Sequence, residues 1–446
     1  VTATAPAPPG PRGGAPIRAL LGFRRDPIAL IEGMKARHGD VVGWRVGALR
    51  FYLVAHPELA REILVVRGRE FTKSRALKRA RVLLGNGLLT SEGDFHLRQR
   101  RMAQPAFHRE RIAALAGEMV AISARAAAGW RAGDTLDVGR EMNRMTLAIA
   151  GETLFGARVE GEADEIGRAL TDALGLFGRL SNPIGPLLDR IPVPGTVRFR
   201  RARARLDSTI LRIIAERRRS GDDRGDLLGM LLAARDVEGD GGAMTDEQLR
   251  DETLTLFLAG HETTANALAW TWHLLGANPE AEARFHAELD SVLAGRVPAA
   301  EDAALLPYTR GVFAEAMRLH PPAYLIGREP IDDVEVGGYR LRRGSVLLTS
   351  PYLAHRDARF WDAPGEFRPE RWSPEAEAAI PRFAYFPFGG GVRKCIGEGF
   401  AWMEGILALA TLGQRWRLRP VPGREPGRAP LITLRVSDLW MRAEPR

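Results

Sequence analysis

The chain has 446 residues, 45% apolar and 27% charged, with a formal charge of +9 and a sequence pI of about 10.2. A chain of this length and balance buries a large core unaided. Its one cysteine excludes an internal disulfide framework and a cysteine-rich zinc site, and no run of 18 apolar residues offers a membrane span. The basic excess is mostly arginine scattered through helix-like segments such as 198–205 and 217–219. That pattern argues weakly for nucleic acid and equally for an acidic protein partner.

Val1–Gly14 is rich in Ala, Pro and Gly and lacks the apolar core of a signal peptide. It reads as a flexible tail on a cytoplasmic protein, with 15–446 as one domain. Asp26–His38 is amphipathic and helical, and Val41–Val46 with Leu49–Ala55 suggests a hairpin. Helices are expected over Pro57–Val65, Glu92–Ala103, Arg109–Trp130, Leu136–Leu154, Gly161–Leu180 and Thr196–Arg219. The Pro/Gly-rich segment Ser181–Gly195 reads as a loop of the lid type. Thr245–Leu275 is a long helix opened by a capping box, Thr245-x-x-Gln248. Helices Pro279–Ala294 and Tyr308–Leu319 follow, then strand-like alternation over Val334–Leu348 with Gly-Gly at 337–338. Helix returns over Glu398–Trp416, and Leu431–Arg442 reads as strands and a turn. The fold class is mainly α with small β regions.

The most informative segment is Phe386-Pro-Phe-Gly-Gly-Gly-Val-Arg-Lys-Cys395-Ile-Gly-Glu-Gly-Phe-Ala401. The consecutive glycines at 389–391 let backbone approach something closely. Arg393 and Lys394 favour a thiolate at Cys395, as does the helix that starts just after it. Gly397 permits close approach beyond the sulfur. A merely buried cysteine needs none of these features.

The spacing Phe388-x-x-Gly391-x-Arg393-x-Cys395-x-Gly397-x-x-x-Ala401 resembles the haem-binding loop of the cytochrome P450 monooxygenases, a family whose haem iron is held by a cysteine thiolate. Further stretches match in order. Ala259-Gly-His-Glu262-Thr263-Thr264 lies within the long helix. Glu315-Ala-Met-Arg318 is followed by Leu-His-Pro-Pro, and Phe367-Arg-Pro369-Glu-Arg371-Trp372 carries Trp where the family has Phe. His96-x-x-x-Arg100 puts two donors one helical turn apart.

The resemblance implies the family's helical triangular prism with haem b (iron protoporphyrin IX) between two long helices. Cys395 would ligate the iron, with Phe388 packed near its sulfur and Gly397 beside it. Ala259 and Gly260 would face the haem, Gly260 opening a local distortion in the helix. Thr263 would hydrogen-bond the bound dioxygen, and Glu262 would help deliver protons. His96, Arg100, Arg328 and Arg393 would contact haem propionates, and Glu315, Arg318 and Arg371 would brace the cysteine loop. His355-Arg356-Asp357 lies in a family-like stretch to which no chemistry is assigned.

The implied activity inserts one oxygen atom from O2 into a hydrophobic small molecule of terpenoid, steroid or fatty-acid type. Pocket walls are expected at the loop Leu83–Leu89, the helix face Leu254–Ala259, the strand Ala323–Ile326 and the turn Val436–Leu439. Electrons would come from a ferredoxin and its reductase, docking near Arg98, Arg101, Arg109 and Lys394. A monomer is expected, with no nucleic-acid or membrane partner. Two alternatives stay open: a haem-thiolate peroxygenase or isomerase, and a non-catalytic haem-binding protein. The pair Glu262–Thr263 argues against both.

Overall fold

The longer helices, in chain order, are α1 Pro27–His38, α2 Gly93–Ala103, α3 Ala116–Ala128, α4 Val138–Phe155, α5 Pro194–Ser220, α6 Asp246–Ala277, α7 Pro279–Leu293, α8 Pro307–Leu319 and α9 Glu398–Gly413. They come from a computed structural model that describes residues 5–11, 22–23, 25–156, 194–221, 225–236, 238–239 and 241–446. Their starts follow from local chemistry. Asp26 Oδ1 accepts from the N–H groups of Ile28 and Ala29 at 3.0 Å, and Pro27 takes the first helical position of α1. Thr245 Oγ1 accepts from Gln248 N–H at 3.2 Å while Gln248 Oε1 accepts from Thr245 N–H at 2.9 Å, closing the expected capping box.

Some elements differ from expectation. The single helix expected over Arg109–Trp130 is two, Arg109–Ala114 and α3, parted at Leu115. A short helix Leu227–Ala233 was not expected. Asp226 caps it through Gly229 N–H at 2.8 Å, and its unbroken apolar run hides any helical period. The helix expected over Gly161–Leu180 lies outside the described residues. So does the loop Ser181–Gly195, save Pro194 and Gly195, which begin α5.

The residues form two compact units, each assembled from discontinuous stretches. The first takes Val1–Lys78, Met317–Phe367 and Pro374–Cys395. Its main sheet contains β1 Val41–Val46, β2 Leu49–Val54, β3 Phe71–Lys73 and two later strands. In the second unit β4 is Thr135–Asp137. Back in the first, β5 is Ile326–Pro330, β6 Val334–Val336, β7 Tyr339–Leu341 and β8 Val346–Thr349. The order is β1-β2-β8-β5-β3, with only β2 and β8 parallel, and β6–β7 is a separate hairpin. The expected strand Ala323–Ile326 is overturned, since only Ile326 is in a strand. Pro321 and Pro322 delay pairing by removing two backbone donors.

The tail is also corrected. Within residues 5–11, the Pro9 carbonyl accepts from Gly43 N–H at 2.8 Å and the Pro6 carbonyl from Arg340 N–H at 2.9 Å. Prolines donate nothing but still accept, so this stretch docks on strand edges and covers their donors.

The second unit holds Arg79–Ala316, Arg368–Ser373 and Ile396–Arg446. Its strands are β4 with β9 Trp416–Pro420, β10 Gly427–Pro430, β11 Leu434–Ser437 and β12 Trp440–Pro445. They form a sheet β4-β12-β9 and a hairpin β10–β11. The core of this unit is α6 packed on α4. Thr146 of α4 donates to the His261 carbonyl at 3.0 Å, and a Cβ at Gly260 would touch Leu154 at 3.4 Å. Trp270 and Trp272 are fully buried along α6.

Candidate active site

In the first unit the chemistry gathers on the loop 386–395. Cys395 is exposed, and its N–H donates to the Phe388 carbonyl at 3.0 Å. Two tighter turns lie inside that closure, Gly389 N–H to Phe386 O and Lys394 N–H to Gly391 O, both 3.0 Å. Gly389 and Gly391 have φ of 70° and 69°, which side chains resist. A Cβ at Gly391 would also stand 2.1 Å from the Leu64 carbonyl, so the expected close approach is made to the turn Glu62–Val66.

Arg393 Nη1 donates to the Phe71 carbonyl of β3 at 2.8 Å. On the neighbouring strand Arg328 stands opposite Lys73, and both are buried. The unit therefore brings Arg328, Arg393 and Lys73 to one strand pair. Lys73 was not singled out from sequence; alternation in a three-residue strand is too short to show which face is buried. Three cations here suit carboxylates, and an accessible sulfur on a glycine-fixed loop suits a soft metal. The residues present thus fit a haem.

His355 supports the start of this loop, a role the sequence did not reveal. It is fully buried, and its Nε2 accepts from Phe386 N–H at 2.9 Å. Burial, with Arg318 and Arg356 nearby, holds its pKa well below the ordinary value, so it is a neutral acceptor. Arg318 Nη1 donates to the carbonyls of His355 and Pro364 at 2.8 Å, and Nη2 donates to that of Glu366 at 3.0 Å.

In the second unit the site residues lie on α6 and α2. Most of α6 is buried from Leu249 to Leu275, yet Ala259 is exposed and Gly260 and Thr263 are half-exposed. An accessible strip thus interrupts the middle of a core helix. Thr263 Oγ1 donates to the Ala259 carbonyl at 2.7 Å. The helix continues as α through Gly260, in place of the expected distortion; Gly260 instead marks the close crossing of α4. Glu262 is buried and turns to the β10–β11 hairpin, where its Oε1 accepts from Thr433 Oγ1 at 2.5 Å and Arg435 Nε at 2.7 Å. These two partners lie 171 and 173 residues away in sequence, and no motif announced them. On α2, His96 is buried with Nδ1 3.2 Å from Ser91 Oγ, and Arg100 lies half-buried one turn on.

The loop expected as a pocket wall is pinned to α6 by two consecutive carboxylates that sequence reasoning missed. Asp251 Oδ2 accepts from Asn86 N–H at 2.6 Å and Glu252 Oε2 from Leu88 N–H at 2.9 Å. Arg250 adds a bond to the Leu83 carbonyl at 3.1 Å and pairs with Asp207 of α5. The structure also revises the docking charges. Arg101 grips Asp236 with Nε and Nη2 at 2.9–3.1 Å, and Arg98 lies 3.6 Å from the same acid. These two arginines bind the protein itself; Arg109 and Lys394 are exposed, as is Arg101 in part.

Comparison with known proteins assigns these features to a class. The chain matches the cytochrome P450 family over residues 8–433 and belongs to that family. It is 43% identical to cyclooctatin synthase of Streptomyces melanosporofaciens, over 97% of this chain and 95% of that protein. It is 42% identical to cyclooctat-9-en-7-ol 5-monooxygenase of the same organism, over 95% and 92%. Identity to pentalenene oxygenase of Streptomyces avermitilis is 37%, over 92% and 91%. The protein is thus a haem-dependent monooxygenase that uses O2 and a redox partner on a hydrophobic substrate. Among the described residues no helix is long and apolar enough to cross a membrane.

Proposed function

We propose that this protein oxidises a cyclic terpenoid hydrocarbon or alcohol in the cytoplasm, as a monomer holding haem b through Cys395. The observation that carries the haem reading is the exposed Cys395 on its glycine-fixed loop. The substrate class is supported by the relatives, whose names speak of cyclooctat-9-en-7-ol and pentalenene. The chemistry available at Cys395 when haem is bound is reductive splitting of O2: two electrons and two protons place one oxygen atom in substrate and the other in water.

The chain's own residues do the rest. Arg393, Arg328, Arg100 and His96 bind the propionates, and Lys73 adds charge beside Arg328. Phe388 fixes the cysteine through its carbonyl. Ala259 and Gly260 supply the accessible strip of α6, on which Thr263 spends its one hydroxyl proton on Ala259 and so offers its lone pairs to a proton donor. Glu262 carries protons toward that strip. Leu88 and Leu439 keep a little exposed surface and supply aliphatic walls, while Leu83 and Leu254 have none and belong to the packed core. Electrons come from a ferredoxin-type protein, drawn by exposed cations such as Lys394 and Arg109.

Titration with cyclic terpenes, steroids and fatty acids tests the substrate class. Cyclic terpenoids are expected to give a type-I shift of haem absorption and an oxidised product; a response to fatty acids alone overturns the reading. Lys394→Glu with Arg109→Glu is expected to slow reduction by a ferredoxin about tenfold at low salt. An unchanged rate removes these residues from the docking surface.

A further inference from the structure

The hairpin β10–β11 reaches the acid of α6 through a directed chain of hydrogen bonds. Asn266 Nδ2 donates to Thr433 Oγ1 at 3.3 Å and, along its own helix, to the Glu262 carbonyl at 2.8 Å. Thr433 accepts that bond, so its single hydroxyl proton points to Glu262 Oε1 at 2.5 Å. Arg435 Nε is always a donor and meets the same oxygen at 2.7 Å. Oε1 is thereby fixed as an acceptor from two sides. Among the described residues no donor meets Oε2. A proton carried by Glu262 therefore has one place to sit, Oε2.

The hairpin is itself held in place. Leu434 is fully buried, and antiparallel pairing sets Arg435 opposite Ala429 and Leu434 opposite Pro430. Thr433 and Arg435 are thus carried on a short element whose register is set by β10 and whose far end, Val436–Leu439, leads into β12.

We propose that Thr433 and Arg435 are positioning residues for oxygen activation: they clamp Oε1 of Glu262 so that Oε2 alone takes and releases the proton. The proposal rests on the reading of Glu262 as the proton-carrying acid. Without the clamp the carboxyl rotates, either oxygen can hold the proton, and protons are delivered out of line. The loss should fall on the fate of electrons, with more peroxide and less product, and leave substrate binding unchanged.

The test uses the haem-loaded protein with a substrate from the titration above, and four variants: Arg435→Gln, Arg435→Lys, Thr433→Val and Glu262→Gln. Arg435→Gln and Thr433→Val are each expected to lower the fraction of electrons found in product about tenfold, with the spectral Kd for substrate unchanged within about twofold. Arg435→Lys keeps a charged donor on a long stem, which the neutral and shorter glutamine does not, and is expected to recover most of that fraction. A second readout needs no turnover: thermal midpoints of Arg435→Gln, Glu262→Gln and the double variant should be non-additive, showing the pair intact in solution. Should Glu262→Gln leave the product fraction unchanged, the acid reading falls and the proposal with it. Should Glu262→Gln lower it while Arg435→Gln and Thr433→Val do not, only the clamp is overturned. Additive midpoints overturn the clamp as well. If Arg435→Gln does not fold, Thr433→Val and Arg435→Lys decide by the same electron count.

Discussion

Two buried glutamates of the second unit show how hydrogen bonding separates bracing from chemistry. Glu315 on α8 is fully buried and engaged at both oxygens. Its Oε1 accepts from Arg368 N–H at 3.0 Å and Arg371 Nε at 3.3 Å, and its Oε2 accepts from Trp372 Nε1 at 3.0 Å. Glu262 on α6 is also buried and paired with an arginine, but both of its donors converge on one oxygen. A carboxylate satisfied at both oxygens is a fixed structural anion. One satisfied at a single oxygen is held in place and still has somewhere to put a proton. A third residue completes the contrast. Glu404 on α9 is fully buried, among the described residues no donor stands in hydrogen-bonding geometry at either oxygen, and burial pushes its carboxyl well above the ordinary range against the smaller pull of the Thr264 hydroxyl. Its carboxyl therefore holds its proton to higher pH than an ordinary glutamate does.

The largest expected effect lies at the brace. Glu315→Ala leaves Arg371, whose side chain is only 12% exposed, without its anion and two further donors without an acceptor, so unfolding stability should fall by about 3–5 kcal/mol. Chemical denaturation measures it. A loss under about 1 kcal/mol would mean that satisfaction at both oxygens does not mark a brace, and the contrast with Glu262 would collapse.

Glu404 tests the other extreme through pH. Unfolded, its carboxyl releases a proton near the ordinary value of 4.5; folded, it holds that proton to well above it. The native state then binds more protons in this window, so stability falls as pH rises above 4.5. The slope from this residue is at most about 1.4 kcal/mol per pH unit. Glu404→Gln removes it, so the variant should gain on the wild type between pH 5 and pH 7. Denaturant midpoints at pH 5, 6 and 7 check this; a constant gap would show Glu404 to be charged.

These contrasts also show what a sequence can and cannot announce. Cys395, with its glycines and cations, was legible because its loop is local: each requirement lies within a few residues of the sulfur. The capping box at Thr245–Gln248 was legible for the same reason. Glu315 and Arg371 were recognisable only as two separate motifs of a resembled family. Thr433, Arg435, Asp251 and Lys73 were not marked at all, and His355 was named only within a family-like stretch, without a role. Their partners are distant in the chain, and single polar residues at those positions look like any solvated group until the fold buries them. The same limit explains Arg98 and Arg101, read as a docking surface and found gripping Asp236.

A smaller effect is expected at the start of α6. Thr245→Ala removes one half of the capping box and should cost about 1 kcal/mol. The cap lies more than four turns from Glu262, and the Thr433–Arg435 clamp holds that acid independently of it. The thermal midpoint should therefore fall slightly while the division of electrons between product and peroxide stays as in the wild type. A changed division would show that the pose of Glu262 is set by the helix end and not by the hairpin.

The smallest effect on stability is expected at Glu262 itself. Glu262→Gln keeps a carbonyl oxygen that still accepts from Thr433 and Arg435, and it loses only the charge. Both hydrogen bonds survive at the retained carbonyl oxygen, so no buried donor is left without an acceptor, and the cost should be within about 1 kcal/mol. Yet the amide has no exchangeable acid proton, so product formation should fall by about a hundredfold. Glu315→Gln gives the matched control, because whichever oxygen its amide nitrogen replaces already accepts from at least one donor, and it should lose stability well beyond 1 kcal/mol. Equal stability losses for the two glutamines would erase the distinction between an acid held at one oxygen and an acid held at both. A stable Glu262→Gln that no longer forms product would place the chemistry on the oxygen that the hairpin leaves open.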